Sequence, residues 1–418
     1  MREPRESPTG AQPARWLGLD ALRGLTIAAM ILVNNPGRWS KDWQYGPLRH
    51  ADWHGCTFTD LVFPTFLFCA GVAIVPALSG RLERGSARAP IVRGILARVV
   101  KLVLLGMFLS AFPLLSFAGA GDGLAGLFEP LLSVRIPGVL QRIGVCYGLA
   151  ALLFVFTTQR TQRWVLWGCL LLHWALITLV AVPGFGAPDL GDPAGTLQGW
   201  LDRAVFGSHI YKPNYDPEGL LSTMPALASC LFGVEAGRLL RLSSRSSPAP
   251  SSPAPAAAAG DGQGAGSAEL HLLRCGGLLM ALGAVWGWFL PVNKYLWTSS
   301  YAVWTAGVAT LGLGLLVYVL EQPGAERRRR FAYPLQVYGT NALLVFVGSG
   351  LLGRTIASLV TVPNGDGRSV PLKSWLFDGA FASWAPPRLA SLMFAVAWIL
   401  VWYVVLRALY RRGVIWKV

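Results

Sequence analysis

Charge is scarce in this sequence. Of 418 residues, 14% are charged and 53% are hydrophobic, and the mean hydropathy is +0.48. A soluble chain of this length needs more polar surface to cover its core. Acidic residues are the scarcer sign, 21 against 36 basic ones, for a formal net charge of +15. No basic face with interleaved aromatics accompanies that excess, so nucleic acid is not an expected partner. Disulfides are not expected either: Cys69, Cys146, Cys169, Cys230 and Cys275 lie in or beside apolar runs, and only Cys56 falls in a clearly polar loop. No small-residue cleavage site follows the first apolar run, which therefore reads as a retained helix behind a polar N-terminal tail, 1–16. No internal repeat is apparent, which counts against inverted-repeat transporter architectures.

Apolar runs near twenty residues are what the chain has in abundance. Each can cross a hydrocarbon core about 30 Å thick, and backbone in lipid must satisfy itself as helix. The expected fold is all-α, a polytopic membrane bundle of about ten spanning helices. The expected spans are 17–35, 58–79, 94–117, 137–157, 164–183, 220–240, 274–291, 300–320, 333–353 and 388–409. With alternating helices, the arginines before the first span and after the second, fourth, sixth, eighth and tenth all fall on one side. That places both termini in the cytoplasm. The segment 243–273, rich in Pro, Ala, Ser and Gly, reads as a disordered cytoplasmic linker between a six-helix segment, 17–242, and a four-helix segment, 274–418.

The polar chemistry gathers in the outer loops. The first, 36–57, reads PGRWSKDWQYGPLRHADWHGCT and holds two of the five histidines. His50 can accept and return a proton near neutral pH. A carboxylate would orient its ring, and Asp52 and Asp60 are the near candidates. The competing reading is an interfacial histidine bonded among belt aromatics. His50, Asp52 and His54 form an H-x-D-x-H string, but Gly46, Pro47 and Gly55 argue against the helix a shared metal would need, so no metal is expected. Nothing visible lowers the pKa of Cys56, which reads as an inert thiol. The loop 355–387 is long enough to hold an interfacial segment around Trp375–Phe381. Within the spans, Asp20, Arg23, Asn34, Gln141, Arg142 and Asn341 are costly in lipid, so each is a functional candidate or helix–helix glue.

The strings LDALRGLTIAAMILVNNPG at Leu19–Gly37, HADWHGCTFTDLVFPTFLF at His50–Phe68 and RIPGVLQRIGVCY at Arg135–Tyr147 resemble the heparan-α-glucosaminide N-acetyltransferase-like membrane proteins. So do DPEGLLST at Asp216–Thr223, NKYLWTSSY at Asn293–Tyr301 and YGTNALLVF at Tyr338–Phe346. The resemblance implies acetyl transfer from cytoplasmic acetyl-CoA to an amino sugar or glycan on the other side. It implies that His50 is the active histidine, with Asn34 and Asp60 as its catalytic partners. Candidate acetyl-CoA contacts are Arg93, Arg98, Lys101, Gln141 and Arg142. Candidate acceptor contacts are Asp52, Trp53, Asp216, Glu218, Asn293 and Asn341. Two departures stand out: Ser349 replaces a histidine of the lysosomal member, and no counterpart of its luminal N-terminal domain is read. The expected location is a bacterial inner membrane, with a homodimer possible in principle. The alternatives are a transporter or flippase for a lipid-linked sugar, an O-acetyltransferase of an envelope polysaccharide, and a sensor or scaffold without turnover.

Overall fold

A computed structural model of the chain describes residues 16–114, 128, 131–246, 266–322, 324–363 and 368–416. The tail 1–15 and linker residues 247–265 lie outside the described residues. The main helices are α1 (Leu17–Asn34), α2 (Phe58–Glu83), α3 (Arg88–Ala111), α4 (Val139–Phe156), α5 (Gln159–Leu179), α6 (Leu197–Phe206) and α7 (Thr223–Ser246). They continue with α8 (Gly266–Gly287), α9 (Ser299–Glu321), α10 (Glu326–Thr340), α11 (Ala342–Arg354), α12 (Leu372–Phe377) and α13 (Pro387–Arg411). One small antiparallel hairpin pairs β1 (Thr361–Pro363) with β2 (Ser369–Pro371).

Among the described residues, eight helices are long and apolar enough to cross a membrane: α1 to α4, α8, α9, the α11 segment Ala342–Leu359 and α13. Helices also form at the two further expected spans, α5 and α7, whose sequences are more polar. The protein is an all-α polytopic membrane bundle.

Three expectations on element bounds change. The ninth span is not one helix: α10 stops at Thr340 and α11 starts at Ala342, with Asn341 at the break. The Asn341 side chain bonds the C-terminal segment, donating to the Val414 carbonyl at 3.0 Å and accepting the Trp416 N–H at 2.8 Å. The expected linker is shorter than 243–273, because α7 continues to Ser246 and α8 begins at Gly266. The third span opens earlier, at Arg88, so Arg88 and Arg93 ride on the helix itself. Charged residues end an apolar run without ending the helix that carries it.

Lipid offers no hydrophobic drive between helices, so close backbone approach at small residues does the work. A Cβ on Gly24 of α1 would fall 1.8 Å from the Leu335 carbonyl oxygen of α10. One on Gly71 of α2 would fall 1.9 Å from that of Cys230 in α7. Around these crossings Leu67, Phe68, Ile74, Leu231, Trp297 and Tyr301 are fully buried.

The loops assemble at one end of the bundle. Gly37 donates its N–H to Ser391 Oγ at the start of α13 at 3.0 Å. Arg38 pairs with Asp378 at 2.7 Å, and Trp43 meets Phe377 edge-on at 5.4 Å. The segment expected to be interfacial, 375–381, is thus short helix and turn docked on the first loop. Asn341 lies at the other end, since the C-terminal segment it holds follows the 25-residue α13, about 37 Å long at 1.5 Å per residue.

Candidate active site

The site is built on the start of α2. Thr57 is the N-cap and Asp60 the third helical residue, and the two form a capping box. Asp60 does more than cap. Its side chain is fully buried, and Oδ2 accepts the N–H groups of Ala51 at 3.1 Å and Thr57 at 3.0 Å. The other oxygen, Oδ1, lies 2.6 Å from Nδ1 of His50. A buried carboxylate that already accepts backbone donors is held ionised, so Nδ1 carries the proton shared with it. That tautomer leaves the lone pair on Nε2, on a side chain still 39% exposed. Thr57 Oγ1 donates to the Arg49 carbonyl at 2.6 Å and closes the loop onto the helix.

The turn before α9 completes the surroundings. Gly55 donates its N–H to the Val292 carbonyl at 2.7 Å, which pins the first loop to residues 291–298. Tyr295 Oη donates to the Ala51 carbonyl at 3.0 Å, and Tyr301 Oη donates to the Asp60 carbonyl at 2.5 Å. Lys294 Nζ lies 3.1 Å from both His50 ring nitrogens, hence across the ring and in line with neither lone pair. Burial lowers the pKa of Lys294, against the opposing pull of Glu218 and Asp60.

An aromatic wall flanks the histidine. Trp53 stacks on Tyr295 at 5.4 Å with an interplanar angle of 9°, and meets Tyr215 edge-on at 5.2 Å. Trp53 Nε1 donates to the Leu190 carbonyl at 2.7 Å, so its ring is fixed.

The three polar side chains of the H-x-D-x-H string diverge. His50 turns to Asp60; Asp52 is exposed and pairs with Lys41 at 3.1 Å and Arg49 at 3.4 Å. His54 approaches Asn293 Nδ2 at 3.3 Å, and burial lowers its pKa while Asp189 opposes in part. Asp60, not Asp52, orients the ring. Cys56 has its thiol pushed up to about 12, first by burial and then by the Asp60 charge, which disfavours a thiolate.

The remaining candidates are dispersed over the bundle. Asp216 is fully buried and, with Glu218, holds Arg135. It also accepts the N–H groups of Tyr211 and Glu218, both at 2.8 Å, so its acceptors serve the loop. Burial works against the Arg135 charge, but the two carboxylates outweigh it and raise its pKa. Asn293 is fully buried and spends its oxygen on the Leu296 N–H at 2.9 Å. Arg142 is buried within α4, donates to the Gly219 carbonyl at 2.8 Å and to Ser222, and faces the Trp297 ring at 5.2 Å. Gln141 donates to the Ile136 carbonyl at 3.1 Å and packs where a side chain on Gly106 would sit.

Gln141 stands well apart from Arg93. Gly106 and Arg93 are thirteen residues apart on α3, about 20 Å along the axis. Arg93, Arg98 and Lys101 are exposed on α3. Arg93 lines a groove with Arg88, Val92, Leu96 and Phe156, and Arg98 lies over the Tyr147 ring at 4.7 Å. Asn341, at the far end, is outside the site. Asn34 shares no hydrogen bond with His50 among the described residues; it opens into a cavity of about 430 Å³ that also holds Asn35, Ser349, Arg354, Lys373 and Trp398.

Sequence reasoning passed over Lys294, Tyr295, Arg135 and the helix α6. Helix α6 carries the buried Asp202, which accepts the N–H groups of Asp216 at 3.2 Å and Leu220 at 2.9 Å. A signal for α6 existed in Thr196, whose side chain caps it, and in Gly207 just past its end.

Comparison with known proteins gives this arrangement a family. Residues 15–261 match the family described as heparan-alpha-glucosaminide N-acetyltransferase, catalytic, a match over more than half of the chain. The chain is similar to heparan-alpha-glucosaminide N-acetyltransferase of Mus musculus, 26% identical over 444 residues and 96% of this chain. The Homo sapiens protein of the same name is 27% identical over 453 residues and 98% of this chain. In both cases the chain spans 60% of the relative's length. By its sequence this chain belongs to the heparan-alpha-glucosaminide N-acetyltransferase catalytic family.

Proposed function

We propose that this protein is a membrane acetyltransferase that moves an acetyl group from acetyl-CoA, taken from the cytoplasm, to an amino-sugar or glycan acceptor on the other side. Both termini are cytoplasmic in this reading, and the His50 end of the bundle faces outward. The observation that carries it is the His50–Asp60 contact of 2.6 Å, made by a buried carboxylate whose other oxygen is held by two backbone N–H groups. It supports the tautomer protonated on Nδ1 with its lone pair on Nε2, the arrangement a general base needs. Family membership supports the reaction class.

Bound acetyl-CoA supplies an activated thioester carbonyl. The donor set suits such an anion-headed molecule: Arg88 and Arg93 stand beside apolar Val92, Leu96 and Phe156 along α3, and with Arg98 and Lys101 they are the candidates for its phosphates. His50 Nε2 takes the proton from the attacking amine, and Asp60 stabilises the imidazolium that results. Asn34 faces the cavity between α1, α11 and α13 with its amide free among the described residues, and is our candidate donor to the reacting carbonyl. Trp53 and Tyr295 give the acceptor an aromatic wall.

The test is transfer of labelled acetyl from CoA to glucosamine by purified protein in detergent or nanodiscs. Wild type should transfer, and His50→Ala should lose transfer while eluting as the same folded species. His54→Ala should be milder. Equal transfer by wild type and His50→Ala would remove His50 from the mechanism.

A further inference from the structure

We infer that Lys294 is a catalytic residue of this site, its ammonium holding the negative charge that builds on the acyl carbonyl oxygen during transfer. The inference rests on the acyl-transfer reading above and deepens it.

The geometry is specific. Lys294 sits in the tight turn between α8 and α9, where Asn293 holds the Leu296 N–H at 2.9 Å and Thr298 Oγ1 accepts the Asn293 N–H at 3.0 Å. That turn is sewn to the histidine loop by the Gly55–Val292 and Tyr295–Ala51 bonds. The lysine stem therefore starts from a fixed backbone. Its Nζ stands 3.1 Å from each nitrogen of the His50 ring and 5.5 Å from the centre of the Tyr295 ring.

No ion pair forms between Nζ and a carboxylate among the described residues. The charged and titratable groups that act on it are His50 and Cys56 from the first loop, Asp60 from the α2 start, Glu218 from the loop before α7, Arg135 and Arg142 from the α4 side, and Tyr295 beside it. Two other cations near the site are committed to carboxylates, Arg135 to Asp216 and Glu218 and Arg49 to Asp52, while Arg142 is buried within α4 and donates to Gly219 and Ser222. A half-buried ammonium, unpaired and touching the proposed base, is placed to meet charge that appears beside that base. Preorganised donors of this kind are worth more than the same group in water, because they do not reorganise as charge develops.

The acceptor nitrogen attacks the thioester carbon, a C–N bond forms, and the carbonyl electron pair moves onto oxygen beside the Lys294 ammonium. His50 Nε2 takes the proton from that nitrogen. The carbonyl re-forms, the C–S bond breaks, and the departing thiolate takes the proton back from the imidazolium. Lysine returns unchanged.

Two variants and two readouts test this. Lys294→Met should lower kcat by about 10²–10³-fold, the usual loss for one such donor, with KM within about threefold of wild type. Lys294→Arg should keep a substantial part of the rate. Because burial lowers the pKa of Lys294, wild type should also lose activity as pH rises toward the ordinary lysine range, and Lys294→Arg should not. The second readout needs no turnover: binding of carboxymethyl-CoA, which carries a carboxylate at the acyl position, against neutral S-ethyl-CoA. Wild type and Lys294→Arg should prefer carboxymethyl-CoA by about tenfold or more, a modest charge-pair gain, and Lys294→Met should show no preference. A preference that survives in Lys294→Met, or a kcat within threefold of wild type, overturns the assignment alone. Absence of both transfer and binding of either thioether in wild type overturns the acyltransferase reading, and this assignment with it.

Discussion

Asp60→Asn isolates the contact on which the mechanism depends. The substitution keeps shape and removes charge. Two backbone N–H groups, of Ala51 and Thr57, point at one oxygen of the side chain. They decide how the amide sits, since turning its NH₂ toward them would oppose donor to donor. The asparagine oxygen therefore takes those two bonds and the NH₂ faces Nδ1 of His50. The ring can meet a donor there only with a lone pair, so its proton moves to Nε2 and the base is gone. The equivalent Asp-to-Asn change in a serine-protease triad costs about 10⁴ in kcat. Here His50 is 39% exposed, water can compete for the ring, and we expect a loss of about 10³ to 10⁴, or roughly 4 to 5.5 kcal/mol of barrier. The assay is labelled acetyl transfer at saturating acetyl-CoA, beside thermal unfolding followed by fluorescence-detected gel filtration.

The fold should survive Asp60→Asn with a loss of about 1–3 kcal/mol. Asp60→Ala should lose as much activity and more stability, because it also uncaps α2. A folded Asp60→Asn protein that transfers acetyl within tenfold of wild type would refute the tautomer reasoning.

Three further outcomes follow from the same geometry. Cys56→Ser should retain transfer, and maleimide at pH 7.5 should not inactivate wild type, because the thiol is held up at about 12; loss of transfer would reopen a thioester on Cys56. Asp202, raised from 3.8 to about 6 by burial, binds a proton more readily folded than unfolded. Its protonated form costs nothing below pH 3.8, and the penalty for ionising it grows from there through pH 6, reaching at most about 3 kcal/mol. Thermal midpoints of wild type should therefore fall between pH 4 and 7 more steeply than those of Asp202→Asn, and parallel slopes would count against the assignment. Gly24→Val sets a side chain 1.8 Å from the Leu335 carbonyl, so α1 and α10 must part; we expect a loss of at least about 1–3 kcal/mol, seen as a lower thermal midpoint, whereas Gly94→Val, with open space around it, should be neutral.

What the sequence made legible depended on range. Hydropathy located helices at all ten expected positions because lipid imposes one backbone solution on every long apolar run. It could not see the break at Asn341, which is set by the side chain's bonds to Val414 and Trp416, some seventy residues away. The His50–Asp60 pair was legible because it is local: ten residues separate them, and Thr57 with Asp60 is a recognisable helix start. Lys294 was not, because its partner lies 244 residues back and only the packing of α9 against α2, with the Gly55–Val292 and Tyr295–Ala51 bonds, brings them together. The string NKYLWTSSY flagged the right turn, but the neighbouring Asn293 was the residue chosen from it. Its amide closes the turn, and the lysine beside it reaches the histidine.

The same division of labour separates Asn34 from Asn35. Their side chains are chemically identical and their positions adjacent, so composition cannot choose between them. Asn35 donates to the Ile31 carbonyl at 2.9 Å and approaches Ser349 Oγ at 3.4 Å, ending α1 and tying it to α11. Asn34, one residue earlier and about 100° around the helix, has no such bond among the described residues and opens into the cavity. In both pairs one residue satisfies the backbone and its neighbour's polar group is left out of the turn. That pairing explains why the segment, rather than the single residue, is what sequence reasoning can identify.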